Sequence, residues 1–328
     1  MIGIFRQKNP GNALLLLIYA LVLKFPLFLH PAMPLPDNGN NYLYHSIIRF
    51  IGPETGYAPV LFSVIAFLLI FTQATLLNRI CNSLKLFPKQ NYLVGMSYLL
   101  LSSLMEEWLY FSAPLVVNSL MIWIWYSMIR LYNNTNPKTS IYNVAVLVGL
   151  LPLIYVPALA LVLLLMMTLI ITRPPRITEW MVALLGLLTP YYFLFAILFL
   201  NDQWHYSKII PSVTLHLPHF RASVWITGSS ILLALPFFPG GYAVQSNLNK
   251  TIIQVRKAWG LLLFFLIVSS GVILSNPGNN FLHWMLVLVP LTTFHAAAYY
   301  YIHPRWLAHI LYWITFIFAV LLNYGVLK

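Results

Sequence analysis

Three carboxylates and one crowded group of cationic side chains are the residues of this chain whose types and spacing could do chemistry. Asp37 stands in Asp37-Asn38-Gly39-Asn40-Asn41, just past an apolar run and just before a segment with helical periodicity. A carboxylate so placed meets what lies at a bilayer surface, where it could accept the proton of an acceptor hydroxyl or ligate a divalent cation. The same five residues are also the usual composition of a turn. Glu106 and Glu107 follow a short apolar stretch. Adjacent carboxylates leave a helix in different directions, so one of them, not both, would serve a single site as a supporting acid, the alternative being a solvated helix end. His205, Lys208, His216, His219 and Arg221 crowd into residues 201–223. Pro218 interrupts the helix that would present His216 and His219 to one metal. That leaves contact with a phosphate or pyrophosphate as the chemistry of this patch, with anionic lipid headgroups as the competing partner. Apart from a divalent cation at Asp37, these residues call for no cofactor.

The elements that must position these groups are membrane spans. Of the 328 residues 60% are apolar and only 7% charged, with a mean hydropathy of +0.81. So few charges cannot solvate a globular surface, and the composition predicts an all-α polytopic membrane protein, residues 1–328 forming a single integral membrane domain. The one cysteine, Cys81, excludes an internal disulfide and any cysteine-based zinc or iron-sulfur centre. The net charge of +12 does not point to nucleic acid, because the basic residues are scattered singly or in pairs between apolar runs. Gly-rich phosphate loops, GxGxxG, GxSxG and HExxH are all missing, which argues against a pump driven directly by ATP. Arg6 and Lys8 precede the first apolar run, but Lys24, Pro26 and His30 follow where a small-residue cleavage site would stand, so the first span is expected to be uncleaved.

Spans are expected at residues 11–30, 57–77, 91–106, 113–131, 178–200, 222–240, 258–275, 281–302 and 306–327. The segment 141–172 is too long for one helix and short for two. Arg130 and Lys138 before it and Arg173 and Arg176 after it both favour the cytoplasmic side, so a hairpin breaking at residues 151–157 is expected, its arms re-entrant or shielded by other helices. Counting the hairpin as two gives about eleven spans, with the N-terminus cytoplasmic and the C-terminus on the outer, periplasmic side. Thirteen lysines and arginines then fall inside and four outside, a positive-inside bias. Lys24 is the one basic residue within a span, near enough to the outer end to snorkel or face a cavity.

On this topology Asp37, Glu54, Glu106, Glu107 and Asp202 all lie outside and only Glu179 inside. Leu43, Tyr44, Ile47, Ile48, Phe50 and Ile51 share one face after Asp37, which predicts a helix lying on the membrane surface. His283, His295 and His309 fall within the last two spans with no acidic partner nearby, so neither a proton relay nor a metal-dependent oxygenase is supported. Trp108-Leu109-Tyr110, Tyr191-Tyr192 and Tyr299-Tyr300-Tyr301 read as interfacial belts.

Asp37-Asn38-Gly39-Asn40-Asn41-Tyr42-Leu43 after the first span, the short spans 92–131 and 141–172, and Phe281-Leu282-His283-Trp284-Met285-Leu286-Val287-Leu288-Val289-Pro290 together resemble the membrane half of the GT-C glycosyltransferases. Those enzymes use polyprenyl-phosphate sugars and carry an acidic residue in a long first outer loop. The chain departs from them in lacking a soluble outer domain and in having a single Asp where a pair or an Asp-Glu motif is often found. The opening residues 1–28 also resemble an uncharacterised bacterial family of multi-pass inner-membrane proteins, some labelled carotene mono-oxygenases; the dispersed histidines do not suit that label. The resemblance implies a bacterial inner-membrane glycosyltransferase of the cell envelope, taking a polyprenyl-phosphate-linked sugar at the outer face. In it Asp37 would be the base, Glu106 or Glu107 a supporting acid, and the 205–221 patch the phosphate contact. A non-catalytic subunit of an envelope or secretion/translocation assembly, with a membrane-protein partner, is the competing reading. A transporter is the third, on the broken helices.

Overall fold

A computed structural model describes residues 1–52, 58–202, 224–273 and 281–325. Among the described residues every regular element is a helix, and the one strand-like pairing is an isolated bridge between Asn40 and Tyr155. The principal helices are α1 (Gly11–Lys24), α2 (Tyr42–Ile51), α3 (Ala58–Ser83), α4 (Leu93–Leu101), α5 (Ala113–Arg130), α6 (Pro137–Ile154), α7 (Val162–Thr172), α8 (Ile177–Leu200), α9 (Val224–Ala234), α10 (Phe237–Asn247), α11 (Ile253–Val272), α12 (Leu288–Tyr301) and α13 (Arg305–Asn323). Among the described residues, seven segments are long and apolar enough to cross a membrane: α3, α6, α8, Val224–Lys250, α11, Leu282–Tyr301 and α13. They fit a multi-pass membrane protein. Helices also stand at the other four expected spans, but Gly11–Lys24, Leu93–Leu101, Ala113–Arg130 and Val156–Thr172 fall short in length or apolarity.

Two expected boundaries move. The span expected at 91–106 is helical only over the nine residues of α4, about 13 Å of rise. Every one of those residues is buried, so neighbouring helices rather than lipid surround it, and it need not match the bilayer thickness. The span expected at 222–240 breaks at Leu235-Pro236 and resumes as α10, which runs to Asn247. Proline lacks the N–H that would continue the ladder. The helix survives past Gly240 and Gly241 because it lies directly on α12: a Cβ on Gly240 would collide with the Phe294 carbonyl. Such close approach through small residues is how helices gain contact where lipid supplies no hydrophobic drive. The same device joins α6 to α8, where a Cβ on Gly149 would stand 2.5 Å from the Leu187 carbonyl oxygen and one on Gly186 would stand 2.6 Å from the Ala145 Cβ.

Hydrogen bonds tie the helix ends in register. At one end of α4, the Tyr92 N–H donates to the Phe5 carbonyl at 2.7 Å. At its other end, Lys24 Nζ donates to the Ser102 carbonyl at 2.7 Å, Asn323 to Ser103 at 2.8 Å, and the Tyr324 hydroxyl to Val22 at 2.8 Å. Phe5 and Asn323 therefore lie at opposite ends of α4. Lys24 corrects an expectation: it neither snorkels nor faces a cavity but is fully buried, its Nζ donating to the carbonyl end of α4.

The segment 137–172 is a hairpin: α6, a 3-10 turn at Val156–Leu161, then α7 returning. Arg173, just past α7, donates from Nη1 to Leu131 and Asn134, just before α6, at 3.0 and 2.9 Å. The two feet are thus side by side, and Arg173 Nε also meets Glu179 at the start of α8 at 3.0 Å.

Candidate functional site

The first loop closes over the tip of this hairpin. Pro152 stands in the last turn of α6, so its carbonyl is one of those that the end of the helix leaves without a helical partner. The Asn41 side-chain amide donates to that carbonyl at 2.8 Å, while the Asn41 Oδ1 accepts from the Tyr42 N–H at 2.7 Å at the start of α2. Asn41 is thus the residue before a helix, a position that favours asparagine, and a clamp across the loop. Backbone bonds from Asn41 N–H to Ile154 at 3.1 Å and from Val156 N–H to Gly39 at 2.8 Å complete the joint. Gly39 is required by contact: a Cβ there would lie 2.5 Å from the Tyr155 ring.

Asp37 sits at the edge of this joint. Its Oδ1 accepts from the Gly39 N–H at 3.0 Å and its Oδ2 from the Tyr155 hydroxyl at 3.3 Å. Tyr155 is fully buried and Asp37 half-buried. Burial raises the Asp37 carboxyl above its ordinary value, and the two hydrogen bonds only partly oppose it. Tyr44, on the buried face of α2, stacks on Phe111 with centroids 5.8 Å apart. Burial and then the nearby Asp37 charge push its hydroxyl upward too. Asp37 is therefore both the turn residue and the half-desolvated carboxylate that its sequence allowed. A helix is present over Tyr42–Ile51, although Phe50, expected on its apolar face, is 90% exposed and Tyr44 supplies the buried contact.

Glu106 and Glu107 separate as expected of neighbours. Glu106 is exposed in the turn Glu106–Leu109. Glu107 Oε2 accepts from the Phe281 N–H at 2.5 Å, and Trp108 Nε1 donates to the Phe281 carbonyl at 3.0 Å. These two side chains bracket Phe281 at the start of the segment that leads into α12. Trp108, expected in an interfacial belt, is 1% exposed, and so is a core residue with its indole N–H satisfied. Tyr299 is likewise buried, edge-on to Tyr312 at 6.3 Å. Of the late histidines, His295 is buried in α12 with its Nε2 2.8 Å from the Leu233 carbonyl, near the break before α10. Carbonyls only accept, so Nε2 carries the ring proton.

Glu54, His205, Lys208, His216, His219 and Arg221 lie outside the described residues. Among the described residues no group of three or more His, Cys, Asp or Glu could hold a metal ion. An apolar cavity of about 240 Å³ adjoins the Glu107 joint, lined by Trp108, Phe237, Leu266, Trp284, Leu288 and Leu291 among others. In sequence Asn41 reads only as part of a turn, although an asparagine just before a helical run could have marked it; Tyr155 carries no such signal, because nothing local to residues 151–157 announces a partner 118 positions away. Comparison with described protein families, curated proteins and solved structures finds no match for this chain.

Proposed function

We propose that this protein is a membrane-embedded transferase of GT-C-like architecture with about eleven spans, acting at the outer face of a bacterial inner membrane on a polyprenyl-phosphate-linked sugar. The carrying observation is Asp37: a half-buried carboxylate with a raised pKa, hydrogen-bonded by Gly39 and Tyr155, beside a helix with the amphipathic pattern of a surface helix. In the reaction Asp37 takes the acceptor's hydroxyl proton. The resulting oxygen bonds to the anomeric carbon of the donor, the bond from that carbon to the phosphate oxygen breaks, and polyprenyl phosphate leaves. Glu106 or Glu107 supports the acid chemistry, the 205–221 patch meets the phosphate, and the apolar cavity beside Trp108 suits part of an isoprenoid chain.

Asp37→Asn tests this cleanly, since asparagine keeps the acceptor for the Gly39 N–H but cannot take a proton. Sugar transfer from polyprenyl-phosphate donor in isolated membranes should fall about 100-fold or more, with the variant still folded. Transfer that survives in the variant rejects the base role.

A second reading, a non-catalytic subunit of an envelope assembly, is favoured by a groove of about 550 Å³ between α3 and α5. It is lined by Thr72, Thr75, Arg79, Ser119 and the half-exposed Trp123. Hydroxyls on an outward helix face suit another membrane helix. Stoichiometric co-purification of a second membrane protein, lost when Ser119→Leu fills the groove, would decide for it.

A further inference from the structure

An open groove lies at the end of the molecule away from Asp37. It has a volume of about 770 Å³ and is walled by α10, the end of α12 and the start of α13, with Arg6 at its mouth. Opposite ends follow from two contacts. Phe5, next to Arg6, is bonded to Tyr92 before α4 begins. Tyr44, on the helix after Asp37, stacks on Phe111, beyond where α4 stops.

Arg6 is a built feature of this groove. Asn12 Nδ2 donates to both the Ile4 and the Gln7 carbonyls at 2.8 Å, and with the Tyr92 to Phe5 bond this clamps the backbone on either side of Arg6. The guanidinium lies over the Tyr300 ring at 4.9 Å, and Tyr300 is itself braced by Phe87 and Tyr301. No carboxylate pairs with Arg6 among the described residues; the one ion pair there is Arg173 with Glu179. None of the lining residues is acidic.

The lining is sorted along the helix axes. Arg6, Ser246, Asn247 and His303 stand at helix ends, while Leu235 in the break before α10, Pro239 in α10, and Leu307 and Leu311 in α13 lie further from those ends. A cation held at a polar mouth above an apolar channel is complementary to an anionic head group carrying a hydrocarbon chain. Basic pockets between membrane helices are read in that way. A free phosphate would use the mouth and leave the apolar wall idle, and a zwitterionic lipid would bring its own cation against Arg6. We infer that this groove binds an anionic glycerophospholipid, its phosphate at Arg6 and His303 and an acyl chain along Leu307 and Leu311. The site is separate from the chemistry proposed at Asp37 and stands whether or not that chemistry occurs.

The test uses the full chain in neutral detergent, with co-purified phospholipid counted by mass spectrometry and the unfolding midpoint followed on adding phosphatidylglycerol, phosphatidylcholine or inorganic phosphate. Phosphatidylglycerol should raise the midpoint and the other two should not. Arg6→Gln should lower retained phosphatidylglycerol about five-fold, the loss of one interfacial cation. Ala243→Trp, which fills the groove but leaves Arg6 on Tyr300, should lower it at least as much, while Arg79→Gln, in the α3/α5 groove, should leave it unchanged. Equal shifts with phosphatidylcholine, a shift with phosphate alone, or equal losses in Arg6→Gln and Arg79→Gln would each overturn the inference.

Discussion

The hairpin of α6 and α7 is tied at both ends, and the two ties are made differently. At its feet, Arg173 closes a full ion pair with Glu179 and spends a further donor group on two carbonyls; the side chains are 11% and 5% exposed. At its tip, the tie is backbone and amide, and the one charge present, Asp37, faces a neutral phenol and an N–H instead of a cation. A carboxylate paired with a cation is committed to the fold. A carboxylate held only by dipoles and half-buried is costlier to ionise and so is closer to exchanging a proton at working pH. The comparison separates a structural acid from a candidate chemical one, although both sit on the same supersecondary unit.

Breaking the feet should have the largest effect. Arg173→Met leaves Glu179 buried and unpaired, which should cost about 3–5 kcal/mol, read as a lowered midpoint of unfolding in detergent. Adding Glu179→Leu should recover most of it. At the tip, Gly39→Ala drives a methyl into Tyr155 and toward Pro157, an overpacking cost of about 1–3 kcal/mol on the same measurement. Tyr155→Phe should be smallest, about 1 kcal/mol for one hydrogen bond to a charged group at a long distance, and it should depend on pH. Because the Asp37 carboxyl is raised in the folded protein, its contribution favours folding below the unfolded carboxyl pKa and is lost as pH rises through the folded value. Removing the phenol raises that value further, so the variant should match the parent in acid and fall behind it near neutrality. An equal deficit at both pH values would mean that the hydroxyl matters for packing alone.

What the sequence disclosed, and what it withheld, divides by range. The all-helical class with several membrane-length helices, the hairpin break near Pro152 and the helix after Asp37 all come from local signals: run length, flanking charge and helical period. Asn41 could be read as a helix-start residue for the same reason. The partners of Lys24, Glu107 and Asp37 could not. Ser102, Phe281 and Tyr155 lie 78, 174 and 118 positions away, and no periodicity links a carboxylate to a backbone N–H that far along the chain. Trp108 was misplaced in an interfacial belt because aromatic residues near a span end look alike whether they meet headgroups or, as here, a carbonyl of another segment. The continuation of α10 past two glycines was hidden because it depends on contact with α12.

The Asn41 clamp also sets an order of events during synthesis. Asn41 and Pro152 are 111 residues apart, so at about 5–20 residues per second the first loop exists for roughly 6–22 s before the carbonyl it will satisfy has been made. Through that interval the loop is polar and can be hydrated, so waiting exposes no unmet group. The hairpin tip is the part that cannot wait, since a freed carbonyl within a shielded apolar segment has no water to turn to. The chain emerges with the acceptor's donor already in place, and the hairpin arrives to a finished socket.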